Sequence, residues 1–223
     1  MVLWRSFPVL FLLALVGAQP AFGQAKNSPI AFVNQEAITV TLVAPPNIGG
    51  TGSSGGSSDN NQWLKVEFHY GTTPLVTKDY PYVDAVEFRV WIEGLDLYAK
   101  DAPVPGKGAA VALTGTVDYI NVAMGKDIYG SFYVNPSTLV RYSSDRGADD
   151  FDRKFNIHLE AYVGGVLMDL IDKTKEQDPK WYKPLTVIPG LVYRQDQCPF
   201  IVSDTNRYPM ISPSAPSASS SSQ

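Results

Sequence analysis

The sequence predicts a mainly β protein, an antiparallel β-sandwich of about seven to nine strands with little helix. Three observations predict it. Apolar and polar residues alternate with period two through several separate runs, as a strand with one buried face requires, because successive side chains point to opposite sides. Glycine, proline and asparagine punctuate those runs at short intervals. Helical spacing is scarce: only Ser137 to Tyr142 and Leu167 to Gln177 could each form a turn or two, whereas an α/β enzyme needs long amphipathic helices between its strands.

The chain opens with an export signal. Met1 to Arg5 carries one positive charge, Phe7 to Ala18 is almost unbroken apolar sequence, and Ala21-Phe22-Gly23 sets small residues where signal peptidase reads. Residues 1–23 are therefore expected to be a signal peptide cut before Gln24, with an apolar core too short to span a bilayer comfortably. The mature chain is expected in the periplasm, at the outer membrane surface or outside the cell, without spanning a membrane. No cysteine follows the apolar run to carry a lipid, no pilin-type helix continues beyond the cut, and no apolar tail closes the chain. Removing 23 of 223 residues leaves 200, and losing Arg5 moves the formal charge from −4 to −5. That length suits one domain, 24–211. A mildly acidic chain has no electrostatic reason to seek nucleic acid or anionic lipid.

Strands follow in order. Ile38, Val40, Leu42 and Ala44 alternate with Thr39, Thr41 and Val43. Residues 47–61 (NIGGTGSSGGSSDNN) hold almost nothing that could be buried and read as a long flexible surface loop. Leu64, Val66, Phe68 and Tyr70 then alternate with Trp63, Lys65, Glu67 and His69, and Val86, Phe88, Val90 and Ile92 with Glu87, Arg89, Trp91 and Glu93. Further strands are expected at Val111 to Val122, Ile128 to Val134, Phe155 to Val163, Val166 to Ile171, around Thr186 to Tyr193, and from Phe200 to Val202. The Ser/Pro tail, 212–223, reads as disordered. The architecture is immunoglobulin-like in the broad sense, although the Cys-Trp-Cys core of antibody domains is absent: Cys198 is the lone cysteine. It can form no internal disulfide, and it is expected to pack in a core beside Pro199 and Phe200 rather than to pair with another chain or act as a thiol.

One stretch looks like chemistry. DRGADDFDRKFNIHLEAYVGGVLMDL, from Asp145 to Leu170, gathers Asp145, Asp149, Asp150, Asp152 and Glu160 around His158, one of two histidines. By parity Phe155, Ile157, Leu159, Ala161 and Val163 share one face, and Asn156, His158, Glu160 and Tyr162 the solvated other. Gly164-Gly165 supplies the positive φ angles of a two-residue hairpin turn. The four aspartates fall in an entrance loop with Arg146, Arg153 and Lys154. Their order, D-x-x-x-D-D-x-D, fits no standard calcium loop, which leaves only a weak case for calcium and otherwise no cofactor. Zinc is weaker still, since His69 and His158 lie far apart. No Gly-x-Ser-x-Gly elbow, phosphate loop or Cys-x-x-Cys is present. No catalytic residue is therefore assigned, although a two-carboxylate glycosidase is defined by spacing in three dimensions and escapes such a test.

The outward faces offer more. Parity sets Trp63, Glu67 and His69 on the outside of one strand, Glu87, Arg89 and Trp91 on another, and His158, Glu160 and Tyr162 on a third. Large aromatics among charges on a solvated face mark docking sites. Trp63, His69, Arg89, Trp91, His158, Glu160 and Tyr162 are thus the candidate partner or ligand face, for a protein or a glycan. The competing expectation is that a loop, or the segment DPKWYKP (Asp178 to Pro184), covers the tryptophans.

VEFRVWIEGLDLY, GSFYVNPSTLVRY, NIHLEAYVGG and CPFIVSDTNRYP together resemble a small family of exported immunoglobulin-like proteins. That family is encoded beside type IV pilus genes in mucin-degrading verrucomicrobial gut bacteria, and the likeness runs from about Ile38 to Met210. It implies an outer-membrane or surface-associated protein connected with pili and host contact. It implies no catalytic or ligand residue. The cleavable signal makes an accessory component the expectation, not a filament subunit. The sequence reading is then a non-enzymatic exported interaction module with protein partners in a pilus or surface assembly. A carbohydrate-binding adhesin is the alternative, and a hydrolase the third.

Overall fold

A computed structural model describes residues 28–34, 36–46, 61–73, 81–96, 98–100, 108–143, 156–174, 180–203 and 206–213. The expected signal peptide 1–23, most of the expected 47–61 loop, the four aspartates Asp145, Asp149, Asp150 and Asp152, and the residues beyond Pro213 lie outside these residues.

Two sheets pack face to face. The first holds β1 (Ile30–Phe32), β2 (Ile38–Val43), β3 (Trp63–Thr72), β6 (Gly125–Val134) and β10 (Val192–Tyr193). The second holds β4 (Tyr82–Asp96), β5 (Ala109–Ala123), β7 (Ile157–Val163), β8 (Val166–Lys173), β9 (Thr186–Pro189) and β11 (Met210–Ile211). The alternating runs fold as their periodicity demands: Leu64, Val66, Phe68 and Tyr70 of β3 and Val86, Phe88, Val90 and Ile92 of β4 are all 0% exposed. Burying each of these side chains stabilises the fold by roughly 1.5–3 kcal/mol. Their rings join the sheets, with the centroid of Phe88 4.6 Å from that of Phe68 and 4.8 Å from that of Tyr70.

Several details depart from expectation. β1 and β2 lie one after the other along the same edge of β3, so the edge strand starts earlier than the alternation suggested. β9 pairs with β5 in parallel, whereas every other pairing among the described residues is antiparallel. Phe200 to Val202 is not a strand: Pro199–Val202 forms a 3-10 turn after another at Gln195–Gln197, because Pro199 cannot donate to a ladder. Leu167 to Lys173 is strand throughout, not helix. The expected turn at Ser137 to Tyr142 is a true α-helix, α1 (Pro136–Tyr142). Asn135 caps it by accepting from the Thr138 N–H at 2.7 Å, and Pro136 occupies the first turn, where its missing N–H costs nothing. The helix buries Leu139 and Tyr142 against the core.

The β7–β8 hairpin turns on Gly164 and Gly165, with φ of 57° and 77°. Its ladder is not regular. Val163 pairs with Val166 and Tyr162 with Leu167, but then Ala161 pairs with Asp169, so Met168 is an extra residue in β8. Such a bulge reverses which faces the following side chains take.

Candidate functional site

The bulge places the second sheet's most polar row. Trp91 of β4 lies opposite His158 of β7, which lies opposite Asp172 of β8. The row beside it runs Arg89, Glu160, Leu170. Without Met168, Ile171 and not Asp172 would stand beside His158; instead Ile171 turns into the core.

His158 shares its face with Glu160 and Tyr162, as parity predicted, but that face is not solvated there. His158 is 2% exposed. Its Nδ1 lies 2.7 Å from Asp172 Oδ1 and its Nε2 3.1 Å from Glu160 Oε1. Tyr182, which follows β8 in the chain, stacks on the imidazole at 4.1 Å between centroids and an 18° interplanar angle, and sits 5.1 Å from the Trp91 ring. Trp91 is in turn 5.3 Å from His158. Tyr162 donates to Glu160 Oε2 at 2.5 Å, and the Arg89 guanidinium, bonded to Glu87, lies 4.2 Å over the Tyr162 ring. The DPKWYKP expectation is therefore met at Trp91, through Tyr182.

Burial opposes charge on His158, yet the hydrogen bonds to Asp172 and Glu160 outweigh it and raise its pKa. For Glu160 burial pushes upward, but His158, Tyr162 and Tyr182 together hold its carboxyl below the usual range. Burial, and then the bond to Glu160, push Tyr162 up to about 12. Burial, followed by the charge of Glu160, takes Tyr182 to about 12. These groups form a hydrogen-bonded cross-link over three strands and a loop. Both ring nitrogens are occupied, no hydroxyl or thiol nucleophile among the described residues is hydrogen-bonded to the imidazole, and the two carboxylates sit at opposite ends of the ring. Among the described residues no group of three or more His, Cys, Asp or Glu side chains could hold a metal ion.

Trp63 and His69 belong to the other sheet, so the seven candidate residues do not form one face. The outward side chains of β3 lie under the chain after β10. Phe200 stacks on Tyr133 at 4.8 Å and meets Trp63 edge-on at 5.9 Å, with Tyr193 5.8 Å from Trp63. Farther along, Glu67 accepts from Tyr208 at 2.5 Å and from Arg207 and Lys65 at 2.7 and 2.9 Å. Arg207 lies 4.4 Å over Tyr129, on which His69 stacks at 4.5 Å, while His69 Nε2 donates to the Lys126 carbonyl at 3.1 Å. The strap holds its own shape: the Gln195 amide donates to the carbonyls of Phe200 and Ser203 at 3.1 and 2.6 Å. Cys198 is buried in it, with burial raising its thiol to about 11, an inert structural state.

Sequence reasoning named the segment that holds Tyr182 but missed Asp172, Phe200, Arg207 and Tyr208 as parts of these faces. Nothing local marks Asp172, since its partner depends on the bulge. The rings of DPKWYKP and of CPFIVSDTNRYP are a better signal: aromatics in segments too irregular for strands need a surface to cover.

Comparison with known proteins places this architecture. A protein-family model matches residues 24–215, most of the chain. The chain belongs to that family. Among solved structures, the crystal structure of a protein from Akkermansia muciniphila is similar, with a TM-score of 0.65 and 18% identity. The match covers 82% of this chain and 92% of that one. At such identity the likeness concerns the fold, which the family member described here shares. A search of curated proteins finds no match.

Proposed function

We propose that the chain is a non-enzymatic, exported interaction module with an immunoglobulin-like sandwich, an accessory component of type IV pili or of the cell surface engaged in host or surface contact. One observation carries this reading: the chain's own segments cover Trp91 and His158 on one sheet and Trp63 on the other, and the histidine that could do chemistry is held between two carboxylates. Among the described residues, Val166, Leu170, Val187, Ile201, Val202 and Met210 are exposed apolar side chains that a partner could cover. The fold shared with a protein from Akkermansia muciniphila, a verrucomicrobial bacterium, supports the same direction as the sequence resemblance.

The glycan-binding alternative has less support, because Tyr182 already occupies the space against Trp91 and Phe200 that against Trp63. The test is to shear pili from the native cells and ask by antibody labelling whether the protein travels with the filaments or the outer surface. Recovery only in the cytoplasm, or turnover on a panel of hydrolase substrates, would overturn the proposal. Specific binding on a glycan array, lost in Trp63→Ala and Trp91→Ala, would favour the alternative.

A further inference from the structure

The segment 180–185 is attached to the second sheet in an unusual way. Its backbone bonds within itself, from Lys183 N–H to the Lys180 carbonyl at 3.0 Å and from Leu185 N–H to the Tyr182 carbonyl at 3.2 Å. Trp181 is buried, and its neighbour Tyr182 ties the segment to the polar row through its ring on His158 and Trp91 and through the longer 3.4 Å bond from its hydroxyl to Glu160. The ring beneath Tyr182 is fixed at both nitrogens by carboxylates, which only accept. With both carboxylates ionised, the two contacts are satisfied together only when each nitrogen carries hydrogen, which is the imidazolium form. A stacked aromatic face also attracts that cation.

We propose that this segment is a cover latched by the proton on His158: it stays closed over Trp91 while the imidazolium bridges Asp172 and Glu160, and loosens when that proton leaves. A neutral imidazole has one N–H, so either Asp172 or Glu160 would then face a ring lone pair at hydrogen-bond distance, with little water to relieve it. The groups around the ring are otherwise committed. From β4, Arg89 is bonded to Glu87 and lies over Tyr162, while Glu93 accepts from Asn156 at 2.7 Å. From β7, the second oxygen of Glu160 holds Tyr162. From β8, Lys173 reaches the Ile38 carbonyl at 3.5 Å. None of these contacts supplies a positive charge in place of the imidazolium. The raised pKa of His158, which burial opposes and the two carboxylates more than restore, puts the release above the ordinary histidine range. Release uncovers Trp91 between Arg89 and His158, so the face offered to a partner depends on pH.

The test uses the mature protein labelled with fluorotryptophan and followed by fluorine NMR across pH, with Trp91→Phe and Trp181→Phe assigning the signals. The Trp91 and Trp181 signals should move together with one midpoint above 6.5, matching the titration of the His158 ring protons, while Trp63 on the opposite sheet stays still. Acrylamide quenching of Trp91 should rise several-fold through the same range. His158→Gln should abolish the transition. Asp172→Asn, which keeps the shape of the latch, should lower its midpoint and remains decisive if the first variant fails to fold. A Trp91 signal that ignores the His158 titration, a Trp63 signal that moves with it, or an unshifted midpoint in Asp172→Asn would each overturn the proposal.

Discussion

Phe68 fills the space that the absent side chain of Gly130 leaves on the neighbouring strand, since a Cβ at Gly130 would come 2.2 Å from Cζ of the Phe68 ring. Gly130→Ala must push that ring against Phe88 and Phe132, and is expected to lower stability by about 1–3 kcal/mol in urea denaturation. Tyr70 has the opposite sign. Its hydroxyl is buried without a hydrogen-bond partner among the described residues, and burial raises its pKa well above the usual value. Tyr70→Phe deletes an unsatisfied group and keeps the ring, so its unfolding midpoint should equal or exceed that of the parent, by up to about 1 kcal/mol. Any clear loss would mean that the hydroxyl has a partner. At this scale the sequence was informative about direction and silent about contact. Alternation placed Phe68 and Tyr70 inside, but which glycine makes room for a ring depends on strand register.

Residues 193–203 and 206–208 cover part of the first sheet's outer face. Phe200 is the anchor of this strap, stacked on Tyr133 and edge-on to Trp63. Phe200→Ala is expected to cost about 3–5 kcal/mol, the range for truncating a buried aromatic. It should also shift Trp63 emission to the red, as water reaches the indole. Loss of stability with unchanged Trp63 emission would show that the strap does not depend on this ring. The second sheet has its own device at the edge: Asp169 of β8 turns inward and accepts from the Phe32 N–H of β1 at 2.8 Å, tying the two sheets where neither has a further strand. Inward-turned charge also discourages pairing with another chain at that edge.

For the whole molecule, the coupled groups on the second sheet set how stability follows pH. His158 is raised from 6.5, so its contribution is complete below the unfolded value and is lost as pH rises through the folded one. Glu160 is lowered from 4.5, so its contribution is present above that value and lost as pH falls through the folded one. Stability should therefore be greatest between about pH 5 and 6.5 and decline on both sides. Urea midpoints across pH check this, and His158→Gln should flatten the alkaline decline. An alkaline limb that persists unchanged in the variant would assign it to other groups.

By itself the sequence determined the class of fold and the direction of each long strand's side chains. Alternation is a local property, and burial of one face of β3, β4 and β7 follows from it with no knowledge of neighbours. It also determined the hairpin turn at Gly164-Gly165, because positive φ is a property of the residues themselves. Tertiary structure decided what covers each face. The run Val166 to Ile171 is apolar at nearly every position, so it carries no alternation that would reveal the extra residue Met168. Only pairing with β7 chooses the register, and that choice sends Ile171 into the core and Asp172 to His158. The same holds for Tyr182 and Phe200, whose partners are distant in sequence. Their rings cover Trp91, His158 and Trp63, which parity reads as solvated, and leave the histidine buried between two carboxylates.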